Sequence, residues 1–206
     1  MYKRQVLDGT FRAQEAASRA IAMLGALSAL LVLLVLWQRY RSVVLALIVL
    51  AVVPMGLVGA VAALWIAGQP LSVASMIGFV TLAGIAARNG ILKVSHWINL
   101  ALHEGEVFGP GLVIRGTLER LAPVLMTALS AGLALVPLMI GAGEAGREIL
   151  HPVAVTIFGG LVTATLFDAV LTPVLFLLFG RRPLERLIAA RDAAAEAGAL
   201  RPATTF

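Results

Sequence analysis

The chain has 206 residues, 60% hydrophobic and 13% charged, with a formal net charge of +5 and no cysteine. A soluble domain carries about 25% charged residues, so this composition points to a membrane protein. The missing cysteines exclude disulfides, thiolate metal ligands and a cysteine nucleophile, and basic residues flanking apolar runs suit lipid headgroups better than nucleic acid.

Residues 1–20 read as a basic stub with Lys3, Arg4, Arg12 and Arg19. Five apolar runs follow, at about 21–37, 43–67, 71–98, 121–142 and 152–179. A span of the hydrocarbon core needs about 20 residues. Each run predicts a helix, because a segment in lipid must satisfy its own backbone hydrogen bonds. None alternates apolar with polar residues, which argues against a closed β-barrel. The expected fold is an all-α membrane protein, a five-helix transmembrane bundle over residues 21–180, followed by a soluble tail over 181–206.

The connections mark the same divisions. "WQRYRS" is a short polar turn and "GQP", at 68–70, a tight one. Residues 99–120 form a longer polar linker whose second half fits a short interfacial helix. "GAGEAGREILHP", at 141–152, is a loop ending with Pro152 at a helix start, where proline costs little. Trp37, Trp65 and Trp97 each fall at the end of a span, where amphipathic rings prefer the interface.

Charge sets the orientation. The linkers at 38–42 and 93–120 and the tail after 180 hold ten Lys and Arg residues, whereas the opposite loops hold only Arg147. The positive-inside rule makes the first set cytoplasmic, with the N-terminus periplasmic and the C-terminus cytoplasmic. The first run ends in "WQRYR" and not in a cleavage site, which argues against a signal peptide. The odd span count, the abrupt start and the basic external stub lead us to expect a fragment. On that reading the remainder lies N-terminal and includes an external domain.

Two ionisable residues stand out within apolar runs, because a charge at mid-membrane costs at least about 2.5–3.5 kcal/mol. Arg88 either snorkels to the headgroups or serves a function. Asp168 is too short to snorkel. It is either a structural partner of Arg88 or of a hydroxyl such as Thr81, or a proton carrier. Thr127, Ser130, Thr163, Thr165 and Thr172 fit structural bonds to backbone or neighbours. Pro54, Pro137 and Pro173 should kink their helices. Small residues four apart, such as Gly56 with Ala60 and Ala74 with Gly78, permit close helix packing. His96, His103 and His151 are scattered, and neither they nor the methionines form a recognisable metal site. "GAGEAG" lacks the lysine and strand context of a phosphate loop, and no cofactor or hydrolytic centre is expected.

"GFVTLAGIAARNGIL", then "LERLAPVLMTALSAGLALVPL", then "HPVAVTIFGGLVTATLFDAVLTPVLF" occur in that order. Together they resemble the last membrane helices of resistance-nodulation-division (RND) efflux transporters, over about residues 10–183. "ARNGIL" before "SHW", and "REILHPVAV", look closest to the heavy-metal efflux branch. The resemblance implies helices eight to twelve of a twelve-helix permease of the bacterial inner membrane. It also implies a homotrimer driven by inward proton flow and served by a periplasmic adaptor and an outer-membrane channel. Arg88 occupies the basic position that faces two aspartates in the drug-pump branch, and Asn89 follows it as in the family. Arg120 and Thr127 match the polar residues at the start of the eleventh helix and deeper within it. Arginine gives up a proton far less readily than lysine, so Arg88 would act as a fixed counter-charge for acids outside this chain. Asp168 has no place in the drug-pump relay and is an additional candidate. The expected function is export of heavy-metal cations by proton antiport. The rival readings are multidrug export, a non-transporting scaffold, and an inactive truncated product.

Overall fold

In the computed structural model the described residues are 2–140 and 148–199; the loop with Arg147 and the last residues with Arg201 lie outside them. The chain order is α1 (Tyr2–Tyr40), α2 (Val43–Leu50), α3 (Val52–Ile66), α4 (Val73–His103), α5 (Pro110–Ile140), α6 (Leu150–Phe179) and α7 (Arg181–Ala199). Five segments are long and apolar enough to cross a membrane: Gln14–Tyr40, Val43–Ile66, Val73–His103, Pro110–Ile140 and Leu150–Phe179. These are the five expected spans, and no strand occurs among the described residues.

The second span is two helices. The break falls at Ala51, within reach of Pro54, which lacks the N–H that would bond the Leu50 carbonyl. Pro137 and Pro173 lie inside α5 and α6, which run on through them.

Helix α6 packs against α2, α3, α4, α5 and α7, and its closest neighbour is α3. That approach depends on missing side chains. A Cβ on Gly59 would lie 2.0 Å from Thr163 Oγ1, and one on Gly159 would lie 2.1 Å from Ala63 Cβ. Without a hydrophobic force between helices in lipid, such small-residue seams supply the van der Waals contact that holds them.

Helix α4 starts on Ser72, whose hydroxyl accepts from Ser75 N while Ser75 Oγ accepts from Ser72 N. This reciprocal cap satisfies two of the donors that every helix start leaves open. The helix runs on to His103, and α5 begins at Pro110, so the expected linker over 99–120 shrinks to 104–109. The physical reason is ionic. Arg115 bonds Glu104 at 2.6 Å, Glu106 at 2.5 Å and Glu119 at 2.9 Å, and His96 bonds Glu119 at 2.7 Å. These pairs satisfy the polar side chains that made the segment read as loop.

The largest core cluster includes Tyr40, Leu45, Trp97, Leu112, Phe176 and Leu184. Trp97 is fully buried, stacks on Phe176 with ring centroids 4.5 Å apart, and donates from Nε1 to Val113 O. It is therefore a core residue and not the interfacial anchor expected from its position, whereas Trp37 and Trp65 are exposed. The tail is not free of the bundle either. α7 buries Leu184 in this cluster, packs Leu187 and Ile188 against it, and Arg191 donates to Leu102 O.

Candidate functional site

Helix periodicity divides α4 into two faces. Leu82, Ala86, Gly90, Lys93 and Trp97 form a buried stripe toward the rest of the bundle. Thr81, Gly84, Arg88 and Leu92 are exposed. Arg88 and Lys93 are five residues apart, about 7.5 Å along the axis and about 140° around it. The two cations therefore point in different directions.

Lys93 points inward. Its Nζ donates to Asp168 Oδ2 at 2.6 Å and to Asp168 O at 2.8 Å. The Thr172 hydroxyl, one turn on along α6, donates to Asp168 Oδ1 at 2.6 Å. Lys93 is 3% exposed, Asp168 2% and Thr172 0%. An isolated charge in this setting would be costly, and the group persists because both carboxylate oxygens and the ammonium are hydrogen-bonded. The partner of Asp168 is thus Lys93, and neither Arg88 nor Thr81, whose hydroxyl donates to Ile77 O at 2.9 Å. The sequence reading missed Lys93 as a site residue, counting it only among the basic residues of the 93–120 linker. The signal was available: position 93 continues the buried stripe of α4.

A cavity of about 190 Å³ opens beside this pair. Lys93, Thr117, Arg120, Thr165 and Asp168 line it together with apolar side chains of α5 and α6. Two of the expected site residues, Arg120 and Asp168, therefore share one cavity. Arg120 is half-buried and has no ion-pair or hydrogen-bond partner among the described residues.

The other expected residues lie elsewhere. Arg88 sits midway along α4 on the exposed face, without a hydrogen bond or ion pair among the described residues, and Asn89 beside it is half-buried. Thr127 is exposed, and its hydroxyl donates to its own helix, at Pro123 O and Val124 O. Among the described residues the structure therefore brings no carboxylate to Arg88. Among the described residues no group of three His, Cys, Asp or Glu side chains could hold a metal ion.

Comparison with known proteins covers most of the chain. The family model described as AcrB/AcrD/AcrF matches residues 4–180. The nickel and cobalt resistance protein CnrA of Cupriavidus metallidurans is 38% identical over 167 residues, which is 81% of this chain and 15% of that protein. The cobalt-zinc-cadmium resistance protein CzcA of the same organism is 34% identical over 174 residues, 84% of this chain and 16% of that one. A crystal structure of a heavy metal efflux pump superposes with a TM-score of 0.70 at 33% identity, over 82% of this chain and 16% of the other. The chain thus spans about one-sixth of the length of the relatives it matches.

Proposed function

This chain belongs to the AcrB/AcrD/AcrF family, the RND efflux permeases that its motifs resemble. On that premise we propose that it supplies the proton-coupling membrane helices of a permease exporting heavy-metal cations across the bacterial inner membrane by proton antiport. The relatives named for nickel, cobalt, zinc and cadmium resistance favour metal cations over drugs as the substrate class. The permease would work as a homotrimer with a periplasmic adaptor and an outer-membrane channel. The Arg-rich end of the bundle, at Arg39, Arg41, Arg181 and Arg182, would face the cytoplasm, and residues 1–20 would approach from the periplasm.

The observation that carries this reading is Arg88. A guanidinium midway along a spanning helix, facing out of the bundle and unpartnered within it, would cost several kcal/mol against lipid. Covered by another part of the permease that presents carboxylates, the same side chain becomes a fixed positive charge favouring their ionised form. Proton arrival would release those acids from Arg88, and proton departure would draw them back. Arg88 would keep its own proton throughout. Asn89, Arg120 and Thr127 would be the polar companions of this exchange. Asp168, already bound to Lys93, would act at one remove by holding α4 against α6.

The test is efflux by the complete permease in cells or vesicles with an imposed proton gradient and Ni²⁺ or Co²⁺ as cargo. Arg88→Ala should abolish gradient-driven efflux while membrane insertion and trimer assembly persist. Normal efflux by that variant removes Arg88 from the mechanism.

A further inference from the structure

The end of the bundle where α1 and α6 finish carries a second cavity, of about 530 Å³, remote from the Lys93–Asp168 pair. Its basic wall is Arg181, Arg182 and Arg186 at the start of α7, and its apolar wall includes Val44 of α2 with Leu178 and Phe179 of α6. Ser42 lines it as well. Its Oγ accepts weakly from Leu45 N at 3.5 Å, which leaves the hydroxyl proton free to donate outward.

Among the described residues one acid offsets this charge. Glu185 takes Arg181 Nε at 2.9 Å, whereas Arg182 and Arg186 are exposed and have no hydrogen-bond or ion-pair partner among the described residues. Two uncompensated guanidiniums therefore border a hollow that a hydroxyl also faces. Val44, Leu178 and Phe179 are 39%, 66% and 58% exposed and lie at the ends of two of the apolar spans. A ligand that fits must carry anionic oxygens at one end and hydrocarbon at the other, aligned with the bundle axis.

We propose that this cavity is a binding site for an anionic phospholipid, its phosphate held by Arg182, Arg186 and the Ser42 hydroxyl and its acyl chains lying along Val44, Leu178 and Phe179. Arginine suits the role because its planar fork gives paired donors to phosphate oxygens. Basic pockets between spanning helices at a membrane surface are where anionic headgroups are held. The site rests on the membrane embedding of the bundle alone and stands whether or not Arg88 couples protons.

Native mass spectrometry of the purified chain, titrated with phosphatidylglycerol and with phosphatidylcholine of the same acyl chains, measures this. Phosphatidylglycerol should bind at least tenfold more tightly. The double variant Arg182→Gln/Arg186→Gln should weaken it about 30-fold. The charge-conserving Arg182→Lys/Arg186→Lys should weaken it much less. Arg39→Gln, at the same end but outside the cavity, should leave it unchanged. Equal affinity for the two lipids, an unaltered double Gln variant, or an equal loss in Arg39→Gln overturns the site. Full competition by millimolar inorganic phosphate assigns the anion to a free phosphate and overturns the lipid.

Discussion

Lys93 and Asp168 meet at 2.6 Å inside the bundle and are the only ion pair among the described residues with both side chains almost wholly buried, at 4% and 3% exposure. Every other pair has at least one partner substantially open to the surroundings. Removing one buried partner leaves an uncompensated charge, which costs about 3–5 kcal/mol. Lys93→Met and Asp168→Leu should each destabilise the purified protein by that order in detergent unfolding. The double variant should recover most of the loss, since an apolar pair needs no compensation. Single variants as stable as the parent would show that the pair is not holding α4 to α6.

Arg88 should behave in the opposite way. It touches no partner among the described residues, so its loss should not destabilise this chain. In the complete permease Arg88→Lys should retain part of the gradient-driven efflux that Arg88→Ala loses, because a positive charge remains at the same depth. If Arg88→Lys and Arg88→Ala are equally dead, charge alone does not explain the position.

The α3–α6 seam makes a steric prediction. Gly59→Ala would push a methyl to 2.0 Å from Thr163 Oγ1, so thermal unfolding should show a loss of about 1–3 kcal/mol. Gly84→Ala on the exposed face of α4 meets nothing within 4 Å and should be neutral or gain up to about 1 kcal/mol from helix propensity. Equal effects at the two positions would mean that α3 and α6 are not in close contact.

At the α4–α5 connection, Arg115 of α5 gathers three glutamates, Glu104 and Glu106 from the turn and Glu119 from its own helix. Arg115→Gln leaves those acids facing one another without a cation. Amide hydrogen exchange over residues 104–109 should then accelerate, and added salt should reduce the difference between variant and parent, because screening weakens exposed charge interactions. An unchanged exchange pattern would make the cluster incidental to the turn.

The spans were legible because lipid imposes a coarse rule, about twenty apolar residues per crossing, and the five runs obey it. The rule says nothing about where a helix continues beyond the membrane. The polar ends of α4, α5 and α7 therefore read as linker or tail, although Arg115, Leu184 and Leu187 bind them into the structure. Arg88 and Asp168 were conspicuous as charges in apolar surroundings. Finding the partner of Asp168 required the rotation between residues 88 and 93, which only the helical stripe of α4 supplies. Lys93 lies on that stripe, but as a basic residue of the 93–120 linker it bears on orientation and gives no sign of a site. Trp97 misled for a related reason: its place along the helix suggested the interface, whereas its angular position put it against Phe176.

The anchoring of Lys93 also limits how α4 can respond to events at Arg88. A twist of α4 about its own axis would drag the ammonium off Asp168 and strand two charges, so rotation is the expensive motion. Tilting or sliding together with α6 keeps the pair intact. A push received on the outward side of α4 would therefore become joint travel of two helices, reaching the helices that pack on α6.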